Sequence, residues 1–148
     1  TLYDLRTDVS DQLEIGEVLE QFGGRLMERS ELDIRVYADR TGKRLPLLQE
    51  REMWRIAQEA LVNVERHAEA RAAAVRWRCD GTSAAREIAD DGKGFPVGKA
   101  GRLDSYGIMG MRERASSIGA TLEIHSEQGR GTVIRCFLTA ERETAPRL

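Results

Sequence analysis

Glu59, Asn63, Arg66 and His67 fall within one run, LQEREMWRIAQEALVNVERHAEA, at spacings that bring unlike side chains together. If the run is helical, a step of 100° per residue puts all four within an arc of about 100°. The band lies beside an apolar stripe of Met53, Ile56, Ala57, Ala60, Val64 and Ala68. A carboxylate and an amide oxygen are hard ligands suited to Mg²⁺ held together with substrate phosphates. Arg66 and His67 can donate to phosphate oxygens. The same pattern also fits an ordinary amphipathic helix with a charged flank, and His67 alone fits a packed histidine.

Three glycine-containing motifs follow. Asp90-Asp91-Gly92-Lys93-Gly94-Phe95 closes a strand, where the Asp90 carboxylate has a fixed direction and can accept from an exocyclic amine such as that of adenine. Gly92 and Gly94 let the backbone pass close to a planar ligand; an Asp-Gly turn accounts for the motif equally well. Gly107-Ile108-Met109-Gly110-Met111-Arg112 opens a helix, whose free N–H groups and partial positive charge favour phosphate. Gly129-Arg130-Gly131-Thr132 is a hairpin turn that can also aim the Thr132 hydroxyl at a base. No GxxxxGK[ST] run occurs and no GxGxxG follows a strand, which argues against a P-loop or a dinucleotide fold.

The elements that must position these groups can be read from periodicity. Leu13, Val18, Phe22 and Leu26 predict a helix, with Ser10 or Asp11 available as N-cap and Gly23-Gly24 weakening it. Residues 32–38 alternate as a strand, 48–70 form the central helix, and 72–79 and 84–91 are two more strands. Arg86 stands in phase with Ile88, where an apolar residue is expected. Residues 92–107 read as a long loop of the kind that forms lids. A helix over 108–119 and strands over 121–129 and 131–140 complete the pattern. Several strands are joined too tightly for crossover helices, so the sheet is mixed. The fold class is then a two-layer α/β sandwich, with about five strands covered on one face by about three helices and a lid.

The 148 residues fit one domain, and its core needs neither disulfides nor a structural metal. A net charge of −2 argues against nucleic acid as the main partner. Cys79 and Cys136 lack metal-site spacing and suit a reducing cytoplasm. No apolar run is long enough to span a bilayer. The chain opens at Thr1 without a Met, as an excised piece would.

Taken in order, RIAQEALVNVERHAEA, DDGKGF, GIMGMRERA and GRGT resemble the N box and the three glycine boxes of the ATP-binding domain shared by type II topoisomerases, heat-shock chaperone ATPases, mismatch-repair ATPases and histidine kinases. QEALVN followed by RHA, and GMRERA, are most similar to the nitrate-sensor-like branch of the kinases. The resemblance spans residues 32–139. It implies that Asn63 coordinates Mg²⁺ bridging the ATP phosphates, that Glu59 orders the metal or water, and that Arg66 and His67 face the phosphates. It further implies that Asp90 binds the adenine amine, that Gly92, Gly94, Gly131 and Thr132 shape the base pocket, and that Gly107, Ile108, Gly110 and Met111 lie on the phosphate side.

By the same resemblance, residues 11–140 are the catalytic domain of a sensor histidine kinase in two-component signalling. Residues 1–10 are then the remnant of an upstream dimerisation helix and 141–148 a frayed tail. The implied partners are ATP, the dimerisation or phosphotransfer domain of the parent, and indirectly a response regulator. The isolated piece is expected to be monomeric and cytoplasmic, without membrane contact, and any membrane anchor of the parent is expected outside this domain. Arg86 and Thr139, which replaces a frequent proline, depart from the family pattern. The box carrying the phosphorylated histidine is missing from the chain, so a stand-alone serine kinase of the anti-sigma-factor type, on the same fold, is the competing reading.

Overall fold

The alternating stretches fold as β1 (Asp33–Ala38), β2 (Ala72–Cys79), β3 (Ser83–Asp90), β4 (Thr121–Glu127) and β5 (Gly131–Thr139). The helical periods fold as α1 (Ile15–Arg29), α2 (Leu47–Asn63) and α3 (Ile108–Ser117). These assignments come from a computed structural model that describes residues 8–10, 12–39, 41–94 and 106–139. Most of the expected lid, 95–105, and the expected tail lie outside the described residues, as do Asp11 and residues 1–7.

The strand order is β1-β2-β3-β5-β4. β1 and β2 pair in parallel, and α2 is the crossover that a parallel pair requires. The other three pairs are antiparallel. The mixed two-layer sandwich expected from the tight strand joins is what forms.

Period two sends Ile34, Val75, Trp77, Ile88, Ile134 and Cys136 inward, where all are buried. Arg35, Arg76, Arg78 and Arg135 stand exposed on the opposite face. The three helices cover the inner face. The Phe22 ring of α1 meets Trp54 of α2 edge to face, with centroids 5.3 Å apart.

Three local features differ from the sequence-based expectation. Helix α1 starts at Ile15, because Ser10 is spent on a turn of its own: its Oγ accepts from Gln12 and Leu13 N–H. The Glu14 N–H is taken instead by the Glu17 carboxylate, a capping-box contact. The helix also runs unbroken through Gly23-Gly24. A Cβ on Gly23 would come within 3.3 Å of Ile34 Cγ2, so this glycine lets α1 lie close on β1 and packing offsets its low helix propensity.

Arg86 keeps its strand phase and is buried with 1 % exposure. Nη1 donates to the Met53 carbonyl of α2 at 2.8 Å, while Nε and Nη2 have no hydrogen-bond partner among the described residues. Burial pushes its pKa down, although the adjacent Cys136 acts slightly the other way.

Candidate functional site

The central helix changes pitch where the polar band is densest. After Asn63 the chain forms a π-turn over Val64–Ala68, which ends at Glu69 in a left-handed conformation, φ 53°. A π-turn advances each residue by less than the α-helical 100°. The band therefore splits. His67 stays on the side of Asn63, whereas Arg66 is exposed and lines no part of the cleft described below. Glu65, rotated the other way, is clasped by Arg29 of α1 through Nε (2.9 Å) and Nη2 (3.2 Å), which ties the turn to α1.

Asn63 is almost buried, and its Nδ2 donates to the Tyr106 carbonyl at 2.5 Å. The Tyr106 ring meets the His67 imidazole edge-on, centroids 4.8 Å apart. Because the nitrogen of the amide is committed to Tyr106, Oδ1 is left as the group available to a ligand.

At the end of β3 the two aspartates have opposite surroundings. Asp90 is half-buried, and burial raises its pKa. A hydrogen bond from Gly92 N–H to Oδ1 (2.8 Å) works against that rise. Asp91 is mostly exposed. Its Oδ1 accepts from the N–H groups of Ala72 (3.0 Å) and Arg71 (2.8 Å), and these bonds lower its pKa. Asp91 therefore anchors the strand end to the start of β2, while Asp90, whose carboxylate is bonded by the N–H groups of Gly92 and Thr132, lines the cleft.

Gly92, Gly94 and Gly131 are required by neighbouring backbone. A Cβ on Gly92 would strike the Ala68 carbonyl, one on Gly94 the Glu127 carbonyl, and one on Gly131 the Asp90 carbonyl. Through these close approaches Lys93 N–H donates to Ala68 O (2.8 Å) and Gly129 N–H to Lys93 O (2.7 Å). Residues 91–94 are thus stitched between the π-turn and the β4–β5 hairpin. Thr132 is buried at the start of β5, its Oγ1 2.8 Å from Ser126 Oγ across the hairpin.

These contacts frame a narrow cleft that is open at its mouth. Its polar lining is Asn63, His67, Asp90, Tyr106 and Thr132, together with Gly94. The walls between them are apolar: Ala60, Val64 and Ala68 on one side, Ile88 and Ile134 on the other. Narrow apolar walls with one half-buried carboxylate at the end suit a flat heterocycle that carries an N–H donor.

The second glycine motif lies beside the cleft. Gly107, φ 66°, is the N-cap of α3, and a Cβ there would come 2.6 Å from Glu59 Oε2. Glu59 therefore adjoins α3 and does not line the cleft. Ile108 and Met111, expected on the phosphate side, are buried in the core, and nothing lies within 4 Å of the position a Cβ on Gly110 would occupy. Tyr106 and Ser126 escaped the reading of the sequence. The signal for Tyr106 was a single aromatic next to Gly107. For Ser126 it was a hydroxyl residue opposite Thr132 in the hairpin register.

Comparison with known proteins gives a consistent picture. Residues 48–142 match the family described as histidine kinase-, DNA gyrase B-, and HSP90-like ATPase. The sensor histidine kinase LiaS of Bacillus subtilis is 40% identical over 85 residues, 57% of this chain and 23% of the relative. The sensor histidine kinase MctS of Rhizobium johnstonii is 32% identical over 139 residues, 92% of this chain and 30% of the relative. The chain thus spans less than a third of these curated relatives. A blue-light activated histidine kinase of Erythrobacter litoralis has the same fold, with TM-score 0.69, 20% identity and coverage of 90% of this chain and 44% of that one.

Proposed function

The chain belongs to the histidine kinase-, DNA gyrase B- and HSP90-like ATPase family, and from that premise we propose that it is the Mg–ATP-binding catalytic domain of a sensor histidine kinase. The γ-phosphoryl group of ATP passes to a histidine on a separate dimerisation domain, and from there to a response regulator. The observation that carries the ATP reading is the cleft itself: apolar walls closed by the Asp90 carboxylate, which backbone N–H groups hold in direction and which can accept from an exocyclic amine. The kinase reading is supported by the sensor histidine kinases among the relatives.

The residues present fit Mg²⁺. Asn63 offers a hard oxygen because its nitrogen is already bonded to Tyr106, and Glu59 lies one turn earlier on the same helix. Among the described residues no group of three or more His, Cys, Asp or Glu could cage a metal. Such sparse donors suit an ion held chiefly by phosphate oxygens and water. When bound, Mg²⁺ neutralises charge on the phosphates.

The chain's own residues supply the rest. The walls exclude water from the base, Asp90 orients it, and Asn63 sets the position of the phosphate chain. The N–H groups at the start of α3 face developing negative charge. In phosphoryl transfer this positioning and charge stabilisation account for most of the catalysis. We place the domain in the cytoplasm on the side of its ATP supply; among the described residues no helix is long and apolar enough to cross a membrane.

The test is to mix this chain with labelled ATP and a separate dimerisation domain of a nitrate-sensor-like kinase. Acid-labile, alkali-stable phosphate on that domain is the expected product. Acid-stable phosphate on serine of an added protein would replace this reading with the serine-kinase one.

A further inference from the structure

The GMRERA motif leaves two arginines without a task at the base or the metal, and the fold gives one of them a partner. Arg112 is exposed, whereas Arg114 Nη1 donates to Glu52 Oε1 of α2 at 2.8 Å. Seven residues along α2 from Glu52 stands Glu59, and seven residues back along α3 from Arg114 stands Gly107. Glu59 and Gly107 are themselves in contact range, since a Cβ on Gly107 would lie 2.6 Å from Glu59 Oε2. Seven residues are almost two helical turns, or about 10 Å of rise. The helices therefore run antiparallel along one seam with a contact at each end, and buried Ile56 and Met111 stand midway on the same stripes.

Helix α3 is tied to α2 just ahead of its N-cap by the Asn63 Nδ2–Tyr106 O bond, and the Arg114–Glu52 pair is the directional contact toward its other end. The helix has ten residues, of which Ile108, Met111 and Ala115 are buried, and its N-cap Gly107 makes no side-chain cap bond. Three apolar contacts resist separation of the helices but resist sliding poorly, because the hydrophobic effect is not directional. A charge-assisted hydrogen bond at 2.8 Å is directional.

We propose that Arg114, acting through Glu52, is a positioning residue. It fixes the register of α3 along α2, and so holds the N–H groups after Gly107 beside Glu59 and Asn63. The proposal rests on the nucleotide reading of the cleft, and it concerns the geometry of the phosphate side.

The ion pair is partly exposed, with side chains 42% and 21% accessible, so its loss should change global stability little. A shift of α3 by an ångström, however, is costly for phosphoryl transfer, on the order of 10- to 100-fold. The experiment uses the 148-residue chain with Mg–ATP and a separate dimerisation domain, and compares wild type, Arg114→Gln, Arg114→Glu, Glu52→Arg and the exchanged pair Glu52→Arg/Arg114→Glu. Phosphotransfer rate, ATP affinity by calorimetry and the urea midpoint are measured for each. The expected result is a transfer rate about tenfold lower or worse in every single variant, with the midpoint nearly unchanged in Arg114→Gln and transfer restored to within threefold in the exchanged pair. Single variants that transfer at the wild-type rate overturn the proposal, as does an exchanged pair no better than the singles. Rate losses that follow the urea midpoint across the series also overturn it, because they assign the pair to stability alone. If wild type itself binds no ATP, the nucleotide reading fails and the positioning role falls with it. Wild type that binds ATP without transferring phosphate removes the kinase reading and this proposal while leaving the cleft a nucleotide site.

Discussion

Asp90→Asn is the sharpest probe of the cleft, because the structure dictates which way the new amide must turn. In the native chain Oδ1 accepts from Gly92 N–H at 2.8 Å, Thr132 N–H also bonds the carboxylate, and Asp90 lines the cleft. An asparagine has only one acceptor oxygen, which the Gly92 and Thr132 N–H groups claim, so the amide NH₂ is driven into the place where the base amine needs an acceptor. Two losses follow. The hydrogen bond to a charged acceptor is worth about 1.5–3 kcal/mol, and leaving a donor unpaired costs about 1–3 kcal/mol more. Asp90 is only half-buried, so the lower half of that range applies, about 3–4 kcal/mol, which is roughly 10²- to 10³-fold in Kd. Calorimetry with a non-hydrolysable ATP analogue measures the affinity, and the urea midpoint confirms an intact fold. The matched control is an inosine triphosphate analogue, whose carbonyl oxygen replaces the amine and can accept from the new NH₂; the variant should prefer it to ATP. An Asp90→Asn chain that binds ATP within threefold of wild type, or that still prefers ATP to the inosine analogue, refutes the reasoning.

Acidification should weaken ATP binding earlier than an ordinary carboxylate would allow. Asp90 is raised by burial and protonates above the usual carboxylate range of about 3.9, whereas Asp91 is lowered by its backbone bonds and stays charged there. For stability the signs are opposite: the strain of ionised Asp90 is relieved as pH falls through its raised pKa, and the contribution of Asp91 is lost only as pH falls through its depressed one. Affinity and urea titrations across pH 3–7 check both. Arg86→Met should stabilise the fold by about 1–3 kcal/mol in urea, since it removes a buried guanidinium with two nitrogens unpaired among the described residues at the loss of one bond to Met53; destabilisation by 1 kcal/mol or more counts against this account. Gly131→Ala, at φ 87° and against the Asp90 carbonyl, should lose more than about 2 kcal/mol. Gly110→Ala, in a helix with open space around it, should gain about 0.5–1 kcal/mol, and a thermal melt separates the two.

The sheet and helices were legible because period two and period 3.6 are written into single stretches of chain, and the tight β2–β3 and β4–β5 joins leave only antiparallel pairing. What stayed hidden depends on contacts between distant stretches. VERHA has no composition that separates a π-turn from an α-turn; its partners are Arg29, before it in the chain, and Lys93, after it. Arg86 reads as a broken strand pattern, yet the strand keeps its phase and buries the charge, because β3 is paired on both sides and cannot rotate one residue alone. Tyr106 bonds to a side chain 43 positions away, which no local pattern announces.

The two ends of the candidate site are built with different rigidity, and that difference bears on how one family can hold ATP alike and use it differently. On the base side, Gly92, Gly94 and Gly131 each press against a carbonyl of another segment, so the floor under Asp90 is fixed by backbone on backbone. Any side chain added there must move a strand or the π-turn. On the phosphate side, α3 rests on a few apolar contacts, the Glu59–Gly107 approach, the Asn63–Tyr106 bond just ahead of its N-cap and one partly exposed ion pair, with open space at Gly110. Changes at the Glu52–Arg114 end of that seam act on the N–H groups of α3 without touching the glycine-packed floor under Asp90. Recognition of the nucleotide is thereby insulated from the geometry of transfer, and Glu52 and Arg114 sit where the second can be tuned while the first is left alone.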